Sequence, residues 1–322
     1  MCVKEKNAYL YHRNQQLAYY AKRVLTPLGV WEMRVFLSKR MKTGLVLEGG
    51  GLRGMFSAGV MDVMMEHGIE YDGVIGVSAG ATFGCNYVSR QPGRVLRYQL
   101  NYIHDDRYMS LHSLWRTGDL VGASFAYHYL PTHLDLFDFD TFHRNSTEFH
   151  LVCTDVKTGK PVYRQIDDMT DEGMDWLRAS ASMPIVSRPV KLDGMELLDG
   201  GISDSIPLRH MQEMGYERNV VILTQPDGFR KHKTSLMPLF HLFMRKYPAI
   251  THAMAVRHEM YNAQLDYLAE QARQGKILLI CPDDALPIGR TERNPEKIRL
   301  VYEMGRRAGE QTLQKIKEFI AR

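Results

Sequence analysis

The stretch TGLVLEGGGLRG, residues 43–54, opens with an apolar run of strand length and ends in a turn that holds four glycines. A short apolar run bounded by glycine fits a strand buried on both faces, as in parallel sheets. Beyond the turn, Met55, Phe56, Val60, Val63 and Met64 recur at helical spacings as far as His67, and GVIGV at 73–77 is a second strand. Small residues from Ala79 then begin another helix. Strand, glycine loop, helix, strand, turn, helix is the order of parallel strands joined by crossover helices, so the expected fold is an α/β sandwich.

Further strands are expected at EFHLVCTDV (148–156), PVYRQI (161–166), NVVILT (219–224) and KILLIC (276–281). VKL and MELL, joined by Asp193-Gly194, read as a hairpin because both turn positions favour positive φ. In the final 29 residues Asn294 is placed to cap a helix and Pro295 to occupy its first turn. The expected organisation is a basic extension over 1–42, a catalytic core over 43–225, and a mostly helical part over 226–322, with one more strand, that completes or caps the same domain.

With 322 residues the chain can bury a substantial core. No apolar run approaches the roughly 20 residues of a membrane-spanning helix, and MCVKEKNAYLYHR lacks the apolar centre of a secretory signal, so a cytoplasmic protein is expected. The four cysteines are too dispersed for a thiolate zinc site and are expected to be reduced and mostly buried. Residues 1–42 carry nine Lys or Arg against two Glu, a balance of +7 that leaves −3 for the rest of a chain of net charge +4. The basicity therefore belongs to the extension, where aromatic and basic residues mix in a way suited to peripheral membrane contact, and no nucleic-acid partner is expected.

Gly49, Gly51 and Gly54 satisfy the dinucleotide pattern G-x-G-x-x-G, which also asks for an acid at the carboxyl end of the next strand to bind ribose. Asp72 precedes that strand, and its carboxyl end holds Ser78 within Gly76-Val77-Ser78-Ala79-Gly80. A serine on a sharp strand-to-helix turn is held out of the sheet, with flanking glycines that admit substrate and a helix N-terminus aimed at the same point. The glycine run beside it offers unhindered amides for an oxyanion, with Gly50 and Gly51 as the expected donors. Asp199, directly after a strand and ahead of two glycines, is a carboxylate presented at a sheet edge.

EGGGLRG (48–54), GVSAG (76–80) and DGG (199–201), in that order, resemble the three signatures of the patatin-like phospholipases, and ASASMPIVSRP (179–189) is similar to the block that precedes the family's aspartate. The resemblance covers about residues 43–225. It implies a three-layer α/β/α sandwich with a mostly parallel central sheet, a Ser78-Asp199 dyad, an oxyanion hole from Gly50 and Gly51, and hydrolysis of lipid acyl esters with no metal or cofactor. Arg53, Gly49, Ala79 and Gly200 are expected in support. Arg53 is read either as attracting a phosphate headgroup or as a tether to a neighbouring acid. The other readings are a dinucleotide-binding oxidoreductase and a catalytically silent lipid-binding module.

A carboxylate with a reference pKa of about 3.9 is a poorer base near neutrality than an imidazole at about 6.5, so a water-poor cleft is part of the expected mechanism. His210, His232, His241, His252 and His258 follow Asp199, but none stands in a recognisable motif, and packing or surface roles are expected for them. Asp204 is expected to cap the helix of SIPLRHMQ. Met55, Met61, Met64 and Met65 are expected in the core. Residues 232–261 are read as a helical pair that completes the core, with a cap over the cleft or an interfacial helix as alternatives.

Overall fold

The computed structural model describes residues 41–321. The N-terminal extension up to residue 40, with Cys2, lies outside the described residues. In chain order the elements are β1 (Lys42–Leu47), α1 (Met55–Glu66), β2 (Gly73–Val77), α2 (Ala79–Val88), α3 (Arg94–Tyr102), α4 (Leu111–Thr117), a π-helical segment (Ser124–Leu134) and α5 (Phe139–Arg144). There follow β3 (Glu148–Asp155), β4 (Pro161–Gln165), α6 (Asp171–Ser180), β5 (Val190–Leu192), β6 (Met195–Asp199), α7 (Leu208–Glu213) and β7 (Tyr216–Ile222). The last are α8 (Met237–Phe243), α9 (Pro248–Arg273), β8 (Ile277–Ile280) and α10 (Pro295–Ala321). Lys42, read as part of the extension, is the first residue of β1.

The strands form one eight-stranded sheet in the order β5-β6-β3-β2-β1-β7-β8, with β4 also on β3. Every pairing among β3, β2, β1, β7 and β8 is parallel, while β4, β5 and β6 join antiparallel. The apolar runs expected as strands are strands, and they are buried on both faces: Leu45, Leu47, Val74, Phe149, Leu151, Val220 and Ile222 enter one core with α1, α2 and α10. Their alternate neighbours Val46, Ile75, Val77, Val152 and Val221 enter a second core with α7 and α9. Two cores on opposite faces of one mostly parallel sheet make the three-layer sandwich.

The hairpin turn at Asp193 and Gly194 has φ of 49° and 74°. Asn294 caps α10 by accepting from the Glu296 amide at 2.9 Å. The methionines of α1 pack as core at Met55, Met61 and Met64, with Met65 half-buried. Cys85 and Cys153 are buried free thiols and Cys281 is half-buried.

The final helix is bound tightly to α1. A Cβ at Gly305 would fall on the Phe56 carbonyl oxygen, and one at Gly59 on the Tyr302 carbonyl. This backbone-to-backbone contact is flanked by the Tyr302 hydroxyl donating to buried Asp62 at 2.6 Å and by Arg306 bidentate to Glu66 at 2.7 Å each. Helix propensity alone would make Gly305→Ala stabilising by up to about 1 kcal/mol. The contact predicts the opposite sign, a loss of about 1–3 kcal/mol from overpacking, read as a lowered denaturation midpoint. A raised midpoint would refute this account of the crossing.

Candidate active site

Ser78 follows the last residue of β2 and precedes the first of α2, with φ 55° and ψ −122°, a left-handed-side backbone that few non-glycine residues adopt. The glycines two residues away explain how the turn closes. A Cβ at Gly76 would lie 2.5 Å from the Ala81 amide nitrogen, and one at Gly80 would strike the Leu47 carbonyl and stand 2.9 Å from that of Glu48. The first turn of α2 therefore lies directly on β1 and β2. The Ser78 amide donates to Ser180 Oγ at 3.0 Å, and Ser180 donates to the Val152 carbonyl at 2.7 Å, which ties the turn to β3.

Asp199 arrives from the other direction. Parallel β2 pairs with β3 as far as Val77 opposite Val152, and antiparallel β6 pairs Asp199 with Cys153, the next residue of β3. Cys153 already has β4 on its other side. Strands β2 and β6 therefore meet end to end along one edge of β3, and residue 78 and residue 199 face each other across the junction. Gly200 turns the chain away there, since a Cβ would fall on the Val152 carbonyl.

The carboxyl of Asp199 is buried, lines one chamber with Ser78, whose hydroxyl acts on its titration, and accepts from the Gly201 amide at 2.8 Å. Burial pushes its pKa up, while the Ser78 and Gly201 hydrogen bonds and the charges of Arg257 and Arg290 pull it down without cancelling the rise. Arg257 is itself fixed by donating to the Gly201 carbonyl and, at 3.2 Å, to Ser205 Oγ.

The glycine loop lies against the serine: a Cβ at Gly49 would stand 2.8 Å from the Val77 carbonyl and 3.0 Å from Ser78 Cβ. Among the described residues the Gly50 and Gly51 amides have no hydrogen-bond partner, whereas the next amide, of Leu52, donates to the Arg290 carbonyl at 3.0 Å. Gly51 has φ 59°. Buried Glu48 holds the loop by accepting from the Thr224 amide at 2.7 Å, the Thr224 hydroxyl at 3.1 Å and the Tyr261 hydroxyl at 2.6 Å.

Two cavities meet at Ser78, both lined also by Gly51, Met183 and Arg290. One is an apolar channel of about 140 Å³, walled by Ala79, Phe83, Tyr98, Met109, Leu130, Phe137, Met174 and Leu177 among others. The other is a chamber of about 780 Å³ that contains Asp199, Glu48, Arg53, Lys231, Arg257 and His258.

The structure thus brings Ser78, Asp199, Gly49, Gly50, Gly51, Arg53, Ala79 and Gly200 to one place. Arg53 makes no ion pair among the described residues and its Nε is buried without a partner, while the charge of Glu48 acts on it from nearby. Asp204 is corrected, since α7 begins at Leu208 and Asp204 instead accepts from Tyr163 at 2.8 Å and Gln264 at 2.5 Å in a separate cleft. His210 stacks on Tyr163 there, while His232 and His258 line the chamber. Sequence reasoning missed Ser180, Thr224, Tyr261, Arg257 and Arg290. Ser180, Thr224, Arg257 and Tyr261 lay within stretches already read as elements, and Arg290 in plain loop sequence, but none carries a spacing signal of a site.

A family model described as patatin-like phospholipase matches residues 45–211, just over half of the chain. The chain belongs to the patatin-like phospholipase family. The match contains the serine turn, the glycine loop and Asp199 of this patatin-like domain, and a model described as a domain of unknown function (DUF6363) matches residues 247–321. An uncharacterised Escherichia coli protein, YjjU, is 30% identical over 191 residues, 58% of this chain and 53% of its own length. Lysophospholipase nte1 of Aspergillus fumigatus is 31% identical over 183 residues, 53% of this chain and 11% of that one. This patatin-like chain therefore spans about half the length of the first relative and about a tenth of the second. The solved structure of VipD from Legionella pneumophila aligns over 86% of this chain and 67% of its own with 13% identity and a TM-score of 0.43. Among the described residues no helix is long and apolar enough to cross a membrane.

The raised pKa of Asp199 has a stability consequence. The folded state binds this proton more tightly than the unfolded chain, so stability falls as pH rises from the ordinary value of 3.8 through the raised folded value. Above that pH the ionised carboxylate is a net cost. Asp199→Asn is expected to raise the denaturation midpoint at pH 7, with a gain that shrinks towards pH 4. An unchanged or lowered midpoint at pH 7 would mean that its hydrogen bonds outweigh burial.

Proposed function

We propose that the protein is a serine hydrolase that cleaves carboxylic esters of lipids through Ser78 and Asp199. The observation that carries this reading is the Ser78 hydroxyl, held beside a desolvated carboxylate where an apolar channel opens into a wider polar chamber. An acyl chain fits the channel, the ester carbonyl then lies at Ser78, and the leaving group occupies the chamber. The lysophospholipase name of several relatives supports the same class.

In the proposed cycle Asp199 accepts the Ser78 proton as Oγ attacks the carbonyl carbon, and the Gly50 and Gly51 amides receive the oxyanion. Collapse of the tetrahedral adduct breaks the ester C–O bond, and the proton on Asp199 passes to the departing alcohol oxygen. Water then gives a proton to Asp199 as it attacks the acyl-serine; the acid leaves and the proton returns to Ser78. Burial makes Asp199 a better base than a solvated carboxylate, while the charges of Arg257 and Arg290 favour its ionised form. The dinucleotide reading gains nothing from the geometry, because Asp72 at the start of β2 accepts from the Thr43 amide at 2.7 Å and its hydroxyl at 3.0 Å. The basic extension and the exposed apolar residues of α8 support peripheral contact with a lipid surface.

A fluorophosphonate is expected to label Ser78, and Ser78→Ala to abolish both labelling and ester hydrolysis. Asp199→Asn should lower kcat by at least roughly 10³-fold. His258→Gln, at a histidine that shares the chamber, should keep most of the activity; a folded variant as inactive as Ser78→Ala would replace the aspartate with a histidine base. Since the base must be ionised, the acid limb of kcat/KM should lie above the ordinary carboxylate value, activity falling as pH drops through the raised pKa of Asp199. A limb at or below 3.8 would argue against Asp199 as the base.

A further inference from the structure

Beyond the pull of Arg257 and Arg290 on Asp199, the proposed cycle gives the positive charges of the chamber no role. Arg53, Lys231, Arg257 and Arg290 line it together with Ser78, and Lys233 stands exposed at its rim. None of the five has an ion pair among the described residues. The carboxylates that line the chamber are Glu48 and Asp199, five cationic side chains against two acids. Glu48 is occupied by Thr224 and Tyr261, and Asp199 faces Ser78.

The placement of the cations is specific. A Cβ on Gly50 would stand 3.1 Å from Arg53 Nη2, so this guanidinium lies against the glycine loop, and its Nε is buried with no partner. Arg257 is anchored on Gly201 and Ser205, two and six residues beyond Asp199. The Lys231 ammonium lies over the rings of Tyr261, at 4.3 Å, and Phe229, at 5.7 Å. The Arg290 carbonyl receives the Leu52 amide of the loop. Desolvation first, then the neighbouring Arg257 and Arg290 charges, push Lys231 down to about 8. Like charges crowded into a half-buried space are unfavourable until an anion joins them.

We propose that the chamber is a phosphate-binding subsite in which Arg53, Lys231, Arg257 and Arg290 hold the headgroup phosphate of a single-chain lipid whose acyl chain lies in the apolar channel. The position of the ester in this pose rests on the reading of Ser78 as the nucleophile; the subsite itself does not. The two volumes, about 140 Å³ and about 780 Å³, suit one narrow chain on one side and a bulky hydrated headgroup on the other. Guanidinium forks match phosphate oxygens, and a phosphomonoester, with roughly −1.5 to −2 charge near pH 7, answers the excess positive charge better than a neutral glyceride or a zwitterionic headgroup. Lys231, Arg257 and Arg290 all lie beyond residues 45–211, and the last two belong to the segment of unknown function at 247–321. That segment thereby supplies headgroup selection to the domain before it.

The test uses the full-length Ser78→Ala protein, which separates binding from turnover, so that its outcome does not depend on whether Ser78 is the nucleophile. Calorimetric titration with 1-octanoylglycerol 3-phosphate, 1-octanoylglycerol and inorganic phosphate is expected to rank the phospholipid at least about tenfold tighter than the neutral ester, with inorganic phosphate weaker than the phospholipid. Lys231→Gln and Arg290→Gln on that background should each reduce the advantage and together remove it, with unchanged circular dichroism. These two side chains make no hydrogen bond that holds the fold among the described residues. Equal affinity for charged and neutral lipids, or an advantage that survives both substitutions, would overturn the proposal. Inorganic phosphate that binds as tightly as the phospholipid would also overturn it, assigning the chamber to free phosphate.

Discussion

The site depends on one edge of β3, which two strands share from opposite ends. Strand β2 runs parallel along it and stops at Val152; β6 runs antiparallel and stops at Cys153. A strand that ends in mid-sheet leaves backbone groups to be satisfied, and here the Ser180 hydroxyl donates to the Val152 carbonyl, against which the Gly200 turn packs closely. Ser78 and Asp199 meet because neither strand can continue past the other. Their separation is then fixed by sheet register, the most rigid coordinate the fold has.

A second tie runs through Glu48. Its carboxylate joins the glycine loop at the end of β1 to Thr224 after β7 and to Tyr261 in α9. The loop is thereby positioned by a helix from beyond the matched catalytic domain, and α9 also carries Arg257 to the Gly201 carbonyl. The C-terminal part is built into the same compact unit as the core. The chemistry of the two cavities follows from this division: apolar walls mostly from residues between α2 and α6, cationic ones from the glycine loop, the stretch between β7 and α8, α9 and the segment after β8.

Much of this was legible in the sequence, for identifiable reasons. Strands buried on both faces announce themselves as apolar runs, the Asp193-Gly194 turn by its φ requirement, and the serine turn by glycines whose side chains would have struck backbone. Those signals are local. Asp204 misled because an acid ahead of a helix usually caps it, whereas here tertiary partners Tyr163 and Gln264 took the carboxylate first. Tyr261, Arg257 and Arg290 were invisible because their roles come from long-range packing, 213 residues in the case of the Tyr261 bond to Glu48. A buried tyrosine or arginine on a long helix has the same local sequence whether it serves a site or only a core.

The end-to-end meeting of β2 and β6 also decides which parts of the chain are free to change. Everything between α2 and β3, including α3, α4 and the π-helical segment, leaves the sheet and returns to it without entering the register that sets Ser78 against Asp199. That excursion supplies Arg94, Tyr98, Tyr108, Met109, Tyr127 and Leu130 to the wall of the apolar channel. Insertions, deletions and repacking there alter the length and bore of the channel while Ser78 and Asp199 stay where β3 holds them. On the proposed reading the fold keeps its chemistry in the sheet and its capacity for new chain-length preferences in a loop-like detour, so the two can diverge independently.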